Sequence, residues 1–194
     1  MKQFAIRFLA FFVLFQSLLF MTGCGGWTTE ATSIIALLGP AISAALAILA
    51  AFGIGVSPTV LAAIQAWGVA AQDALTNVVQ PAINAYNAAA ADAKAALLSE
   101  IQAALNSIVT NLASVLADVH ITDPKTQAKV AAVFALIQTF LQSLIDLIPV
   151  LQGKVTDTAE AQKLVAAVMP PKTFKKQFNV LADGFGKQYE IGNN

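Results

Sequence analysis

Few side chains in this sequence could carry out covalent or metal chemistry. There is one cysteine, Cys24, and one histidine, His120. A single thiol allows no internal disulfide. A zinc or haem site would have to combine His120 with carboxylates. The acidic residues are scattered and show no HExxH, ExxH or EF-hand spacing. His120 therefore reads as a favourable charge beside a helix C-terminus. A Ser-His-Asp set would also depend on His120. No GxSxG elbow, SxxK or phosphate loop is present, and Gly53 and Gly55 lead into Ser57-Pro58 instead of Gly-Lys-Ser/Thr. The expectation is a non-enzyme with no catalytic residues, no metal and no cofactor. Cys24 remains, and the residues before it define its chemistry.

Lys2 and Arg7 form a short positive region, and Phe8 to Phe20 is apolar apart from Gln16 and Ser17. Met21-Thr22-Gly23-Cys24 follows, then Gly25-Gly26. The apolar run is shorter than the ~20 residues of a comfortable bilayer span. A charged start, a short apolar run and small residues are the marks of a processed export signal. These residues resemble the lipobox of bacterial lipoproteins, with Met21 where Leu is usual. The resemblance covers about the first 26 residues. It implies a signal peptide over 1–23, removed during processing, and a membrane lipoprotein anchored by a diacylglyceryl group on Cys24, with acylation of the palmitate kind. Gly25, in place of Asp, resembles the signal of lipoproteins sent to the outer of two membranes. An ordinary signal peptide or an uncleaved anchor helix are the alternatives.

Removing residues 1–23 of 194 would leave 171 residues, enough for one domain with a real core. That portion holds nine Lys, no Arg and eleven acidic residues, a net charge of −2. No basic surface for nucleic acid is expected. Without Arg, bidentate recognition of phosphate or carboxylate is disfavoured. The whole chain is 57% hydrophobic and 11% charged, against a usual charged share of ~25%.

The elements follow from this composition. Residues 24–33 read as a lipidated polar tether, with Trp27 a membrane-proximal residue or a bland tether residue. Residues 34–183 read as one all-α domain, an antiparallel bundle of about five to six helices. Residues 184–194 read as a flexible tail. No charge occurs from Ala31 to Gln72. Gly39-Pro40 interrupts this stretch and Gly53–Pro58 divides it into two apolar helices, with Ser57 as N-cap and Pro58 at the first helical position. A helix apolar all round belongs in a protein core or in a bilayer, and by length 34–56 could span one. We expect a buried hairpin, with Trp67 in the core.

A kink or break is expected near Gln80, before Pro81, and a weak, Ala-rich stretch from Asn87 to Ala96. Ile101, Leu105, Ile108, Leu112, Val115 and Val119 form one stripe. Asp123-Pro124 opens a helix carrying Val130, Val133, Ile137, Phe140, Leu144 and Leu147, ending by Gly153. The short connection makes these two helices antiparallel. Asp157 to Glu160 has capping-box spacing. A last helix carries Phe174, Phe178 and Leu181. Lys172, Lys175 and Lys176 on it could meet anionic headgroups or form a solvated face.

Three functions follow as expectations. The first is a lipid-anchored cell-envelope protein of structural or interaction type, held to the membrane by its N-terminal lipid and engaging an envelope partner. The second is a bundle that binds an apolar small molecule or lipid. The third is a membrane-active protein inserting the uncharged hairpin 34–79. In pattern, with no shared motif, that segment resembles the hydrophobic hairpin of colicin-type pore-forming domains.

Overall fold

The computed structural model describes residues 26–155 and 157–192. The signal-like segment and Cys24 lie outside the described residues. Among the described residues the fold is all-α. Its helices are α1 (Gly26–Phe52), α2 (Pro58–Ala74), α3 (Gln80–Tyr86), α4 (Ala91–Leu116), α5 (Pro124–Leu151), α6 (Thr158–Ala167) and α7 (Pro171–Asp183). A π turn, Leu75–Val79, joins α2 to α3, and a 3-10 turn, Lys187–Tyr189, follows α7.

Helix α1 starts earlier than the tether reading allowed. Gly26 opens it, and Trp27 and Ala31 are buried. They extend the stripe of Ile34, Ile35, Leu38, Ile42, Ala45, Ile48 and Leu49 by more than one turn. The 3–4 spacing of this stripe overrides the polar look of Thr28, Thr29 and Ser33, and the Ser33 hydroxyl bonds back to the Thr29 carbonyl at 2.9 Å. Pro40 does not shorten the helix. It sits on the exposed face, so the Ala36 carbonyl it leaves unpaired lies on an exposed residue.

The chain turns at Gly53–Ser57. Gly55 has φ +98°, and a Cβ built there would collide with Thr122 Oγ1 and lie 3.2 Å from the Thr122 backbone nitrogen. The Ile54 carbonyl accepts the Thr122 amide at 2.8 Å, tying this turn to the α4–α5 connection. Gly55→Ala is expected to destabilise by about 1–3 kcal/mol, through backbone strain and displacement of Thr122. A change in the urea midpoint equivalent to less than 0.5 kcal/mol would contradict this. The Ser57 side chain then accepts the Val60 amide and opens α2.

Pro81 does not break the next rod. The helix widens into the π turn just before it, where the Gln80 amide reaches the Leu75 carbonyl. A proline lacks the donor that the carbonyl four residues earlier needs and crowds it. A wider turn accommodates this locally. The actual break falls at 87–90, within the Ala-rich stretch, where little apolar surface is available to hold a helix in place.

Asp123 caps α5. Its carboxylate accepts from the Thr126 hydroxyl at 2.6 Å and the Thr126 amide at 2.8 Å. The hydroxyl bond, then the amide bond, hold its pKa below the ordinary carboxylate value. The cap therefore contributes fully above about pH 4 and is lost as acid protonates the carboxyl. Asp123→Ala should lower the melting temperature at pH 7. The gap from the parent protein should close as pH falls toward about 2, and a gap that widened in acid would contradict the assignment. Asp157 opens α6 in the same way, accepting the Ala159 and Glu160 amides at 2.7 and 3.2 Å.

Counting α2, the π turn and α3 as one bent rod, the chain runs up and down through α1, α2–α3, α4 and α5. Trp27, Tyr86, Ser99 and Gln152 share one end, joined by the Trp27–Tyr86 ring contact and the Gln152–Ser99 bond. The 53–57 turn and the 117–123 connection share the other. Helix α7 packs on α5 and α1, and α6 packs on α5. The seam of α4 and α5 is buried through Ile101, Leu105, Ile108 and Leu112 on one helix and Val130, Val133, Ile137 and Phe140 on the other, whereas Val115 and Leu144 are half-buried and Val119 lies beyond α4, which ends at Leu116.

Most large apolar residues of the uncharged segment turn inward, among them Leu38, Ile42, Leu49 and Ile64, whereas Ile54 and Val69 are exposed. Its outward positions are largely Ala, with Ser43 and Gln65. By length and apolarity alone Trp27–Phe52 and Pro124–Leu151 could each cross a membrane, yet both supply core residues here.

The C-terminal residues are also packed, against the expectation of a flexible tail over 184–194. Phe185 and Ile191 are buried. Asn179 bonds both backbone groups of Ile191, at 2.8 and 3.2 Å, and Lys175 Nζ donates to the Gly192 carbonyl at 2.7 Å. Short apolar anchors and one Asn bracket dock a segment that local composition marks as loose. Among the described residues the core runs from Trp27 to Ile191.

Candidate functional site

Because α1 begins at Gly26, only Gly25 separates Cys24 from the first helical residue. An extended chain spans at most ~3.6 Å per residue, so the Cα of Cys24 stays within roughly 11 Å of the Cα of Trp27. The elements at this end of the bundle therefore define what lies next to that position.

Trp27 does not stand in solvent. It is 7% exposed, and its ring meets Tyr86 edge to face, with centroids 4.9 Å apart at 84°. Beside it, the Asn87 amide donates to Thr28 Oγ1 at 3.0 Å. Lys94 Nζ lies 5.2 Å from the Tyr86 ring centre, a cation–π contact. The N-terminus of α1, the end of α3 and the start of α4 are thus pinned together.

Behind Trp27 lies a cavity of about 40 Å³. Ile35 of α1, Ile83 of α3, Leu105 of α4, Ile148 of α5 and Val168 just after α6 contribute to its wall. No lining residue is charged. Two buried side-chain polar atoms lack a hydrogen-bond partner among the described residues, Trp27 Nε1 and Gln152 Oε1. Gln152 directly follows Leu151, which also lines the cavity. Its amide nitrogen donates to Ser99 Oγ at 3.1 Å. Sequence reasoning missed this arrangement. Orphaned atoms have no sequence signal, and the burial of Trp27 depends on the early start of α1.

The other residues singled out from the sequence do not converge. Trp67 is in the core, where its Nε1 donates to the Ile108 carbonyl at 3.0 Å and its ring meets Phe134 edge to face. His120 is exposed in the connection at the opposite end of the bundle. Among the described residues no three His, Cys, Asp or Glu side chains come together as a metal site. The lysines of α7 divide. Lys175 holds Gly192, whereas Lys172 and Lys176 flank an open groove of about 690 Å³ beside Leu136 and Val180.

The site at the Trp27 end offers apolar walls, one unsatisfied donor and no titratable group in its lining. Such a lining can exclude water and hold an apolar group, and it has nothing with which to move a proton or attack a carbonyl. Comparison with known family models, curated proteins and solved structures finds no match for the chain.

Proposed function

We propose that this is a lipid-anchored protein of the cell envelope, acting by interaction and not by catalysis. The observation that carries the reading is Gly23-Cys24 at the end of a short apolar run, followed almost at once by the first helix of the bundle. A lipid on Cys24 would hold the bundle close to the bilayer, with the Trp27 end nearest the surface. One acyl chain gives marginal membrane binding, and two or more make it stable, at about 0.8 kcal/mol per buried methylene. The rest of the surface would be free to meet an envelope partner. In an envelope with two membranes, Gly25 favours the outer one.

The membrane-active reading has less support. Inserting 34–79 would separate Leu38, Ile42 and Leu49 from the core and break the buried Trp67–Ile108 bond. The outward face left to meet lipid is largely Ala, which is weakly apolar, with Ile54 and Val69 its exposed large apolar residues.

Cys24→Ser tests the proposal. The variant should accumulate as unprocessed precursor or leave the lipid-modified membrane fraction, as read by fractionation and immunoblotting. Wild-type partitioning and processing in the variant would contradict it.

A further inference from the structure

We propose that the cavity behind Trp27 is a binding site for an uncharged aliphatic molecule carrying one oxygen acceptor, such as an alkanol or alkyl ester, with the Trp27 indole N–H as its donor. The proposal stands independently of lipidation at Cys24. Its walls come from every long rod of the bundle, through residues such as Ile35, Ile83, Leu105 and Ile148. Packed interiors leave few voids larger than a water, and apolar voids bind apolar guests. At about 40 Å³ the space exceeds what one water needs. A water there would want two to four polar partners; Trp27 lines the wall, and its Nε1 is a buried donor with no partner among the described residues.

The chemistry of the ligand follows from the lining. Aliphatic walls select an aliphatic body. A buried N–H without a partner is costly, and one oxygen relieves it. An ionised head is disfavoured, because no cation lines the cavity to pair with it.

Access is provided by α6. None of its residues is fully buried, and it packs chiefly on α5. Few buried contacts mean a low cost of local opening, and Val168, next to its last turn, closes one side of the cavity. Lifting this segment would admit a chain longer than the closed space holds.

The test uses the full-length protein, with 1-hexanol as probe. The Trp27 indole N–H is assigned in ¹H–¹⁵N spectra by its loss in Trp27→Phe. 1-Hexanol should shift that resonance downfield saturably. Hexane and hexanoate should bind more weakly. Folded Trp27→Phe should bind 1-hexanol about fivefold less tightly, the value of one net hydrogen bond. Leu105→Phe, which fills the space from the opposite wall, should abolish the shift while keeping the indole signal. An indole N–H unmoved by 1-hexanol in folded protein would overturn the proposal. So would binding unaffected by Leu105→Phe, which would locate the probe elsewhere.

Discussion

Ile137→Asp is expected to unfold the bundle. Ile137 is fully buried midway along α5, the helix that packs against α1, α4, α6 and α7. An aspartate there would lie among Val133, Phe134, Phe140 and Leu141, all fully buried. A buried unpaired carboxylate costs several kcal/mol even after it protonates. Single domains have about 5–15 kcal/mol in total, so the folded population should fall sharply. Thr139→Asp is the matched control. It places the same charge on the same helix at an exposed position, where substitutions usually change stability by less than about 0.5 kcal/mol. Urea unfolding followed by circular dichroism would compare the two. Equal midpoints would mean that the α5 stripe is not buried.

Phe174→Ala should have the next largest effect. The Phe174 ring lies flat on Phe140, with centroids 4.0 Å apart at 7°, and also meets Phe178 at 6.0 Å. Truncating a buried Phe costs about 3–5 kcal/mol, because the cavity collapses only in part. The loss should spread. Helix α7 presents Lys175 and Asn179, which hold the chain end at Gly192 and Ile191, so protease sensitivity after Gly184 should rise as well. A melting temperature within one degree of the parent, with an unchanged digestion pattern, would show that α7 is not docked through this residue.

Much of this architecture was legible from local chemistry. Ser57, Asp123 and Asp157 stand where caps belong, and each accepts the amide that a cap should. The 3–4 spacing marks the stripes of α4 and α5, which are buried apart from the half-buried Val115 and Leu144, and α4 ends before Val119. The misreadings share a physical cause, since tertiary contacts overrode local preference. Thr28, Thr29 and Ser33 look like a tether, but Trp27 packs against Tyr86 and carries the helix back to Gly26. Pro81 suggests a break, and a π turn absorbs it. Gly184 and Gly186 suggest a loose end, whereas Phe185 reaches Phe52, with centroids 5.1 Å apart. The cavity was not legible at all. It is a space among helices distant in sequence, marked by a donor whose partner is missing.

The central claim, a lipid anchor on Cys24, is tested most directly by intact-mass analysis of the protein extracted from membranes. The account predicts a chain that starts at Cys24, lacks residues 1–23, and is heavier than that polypeptide by a diacylglyceryl group and its acylation. Recovery of a chain with an unmodified Cys24 thiol from that membrane fraction would contradict it.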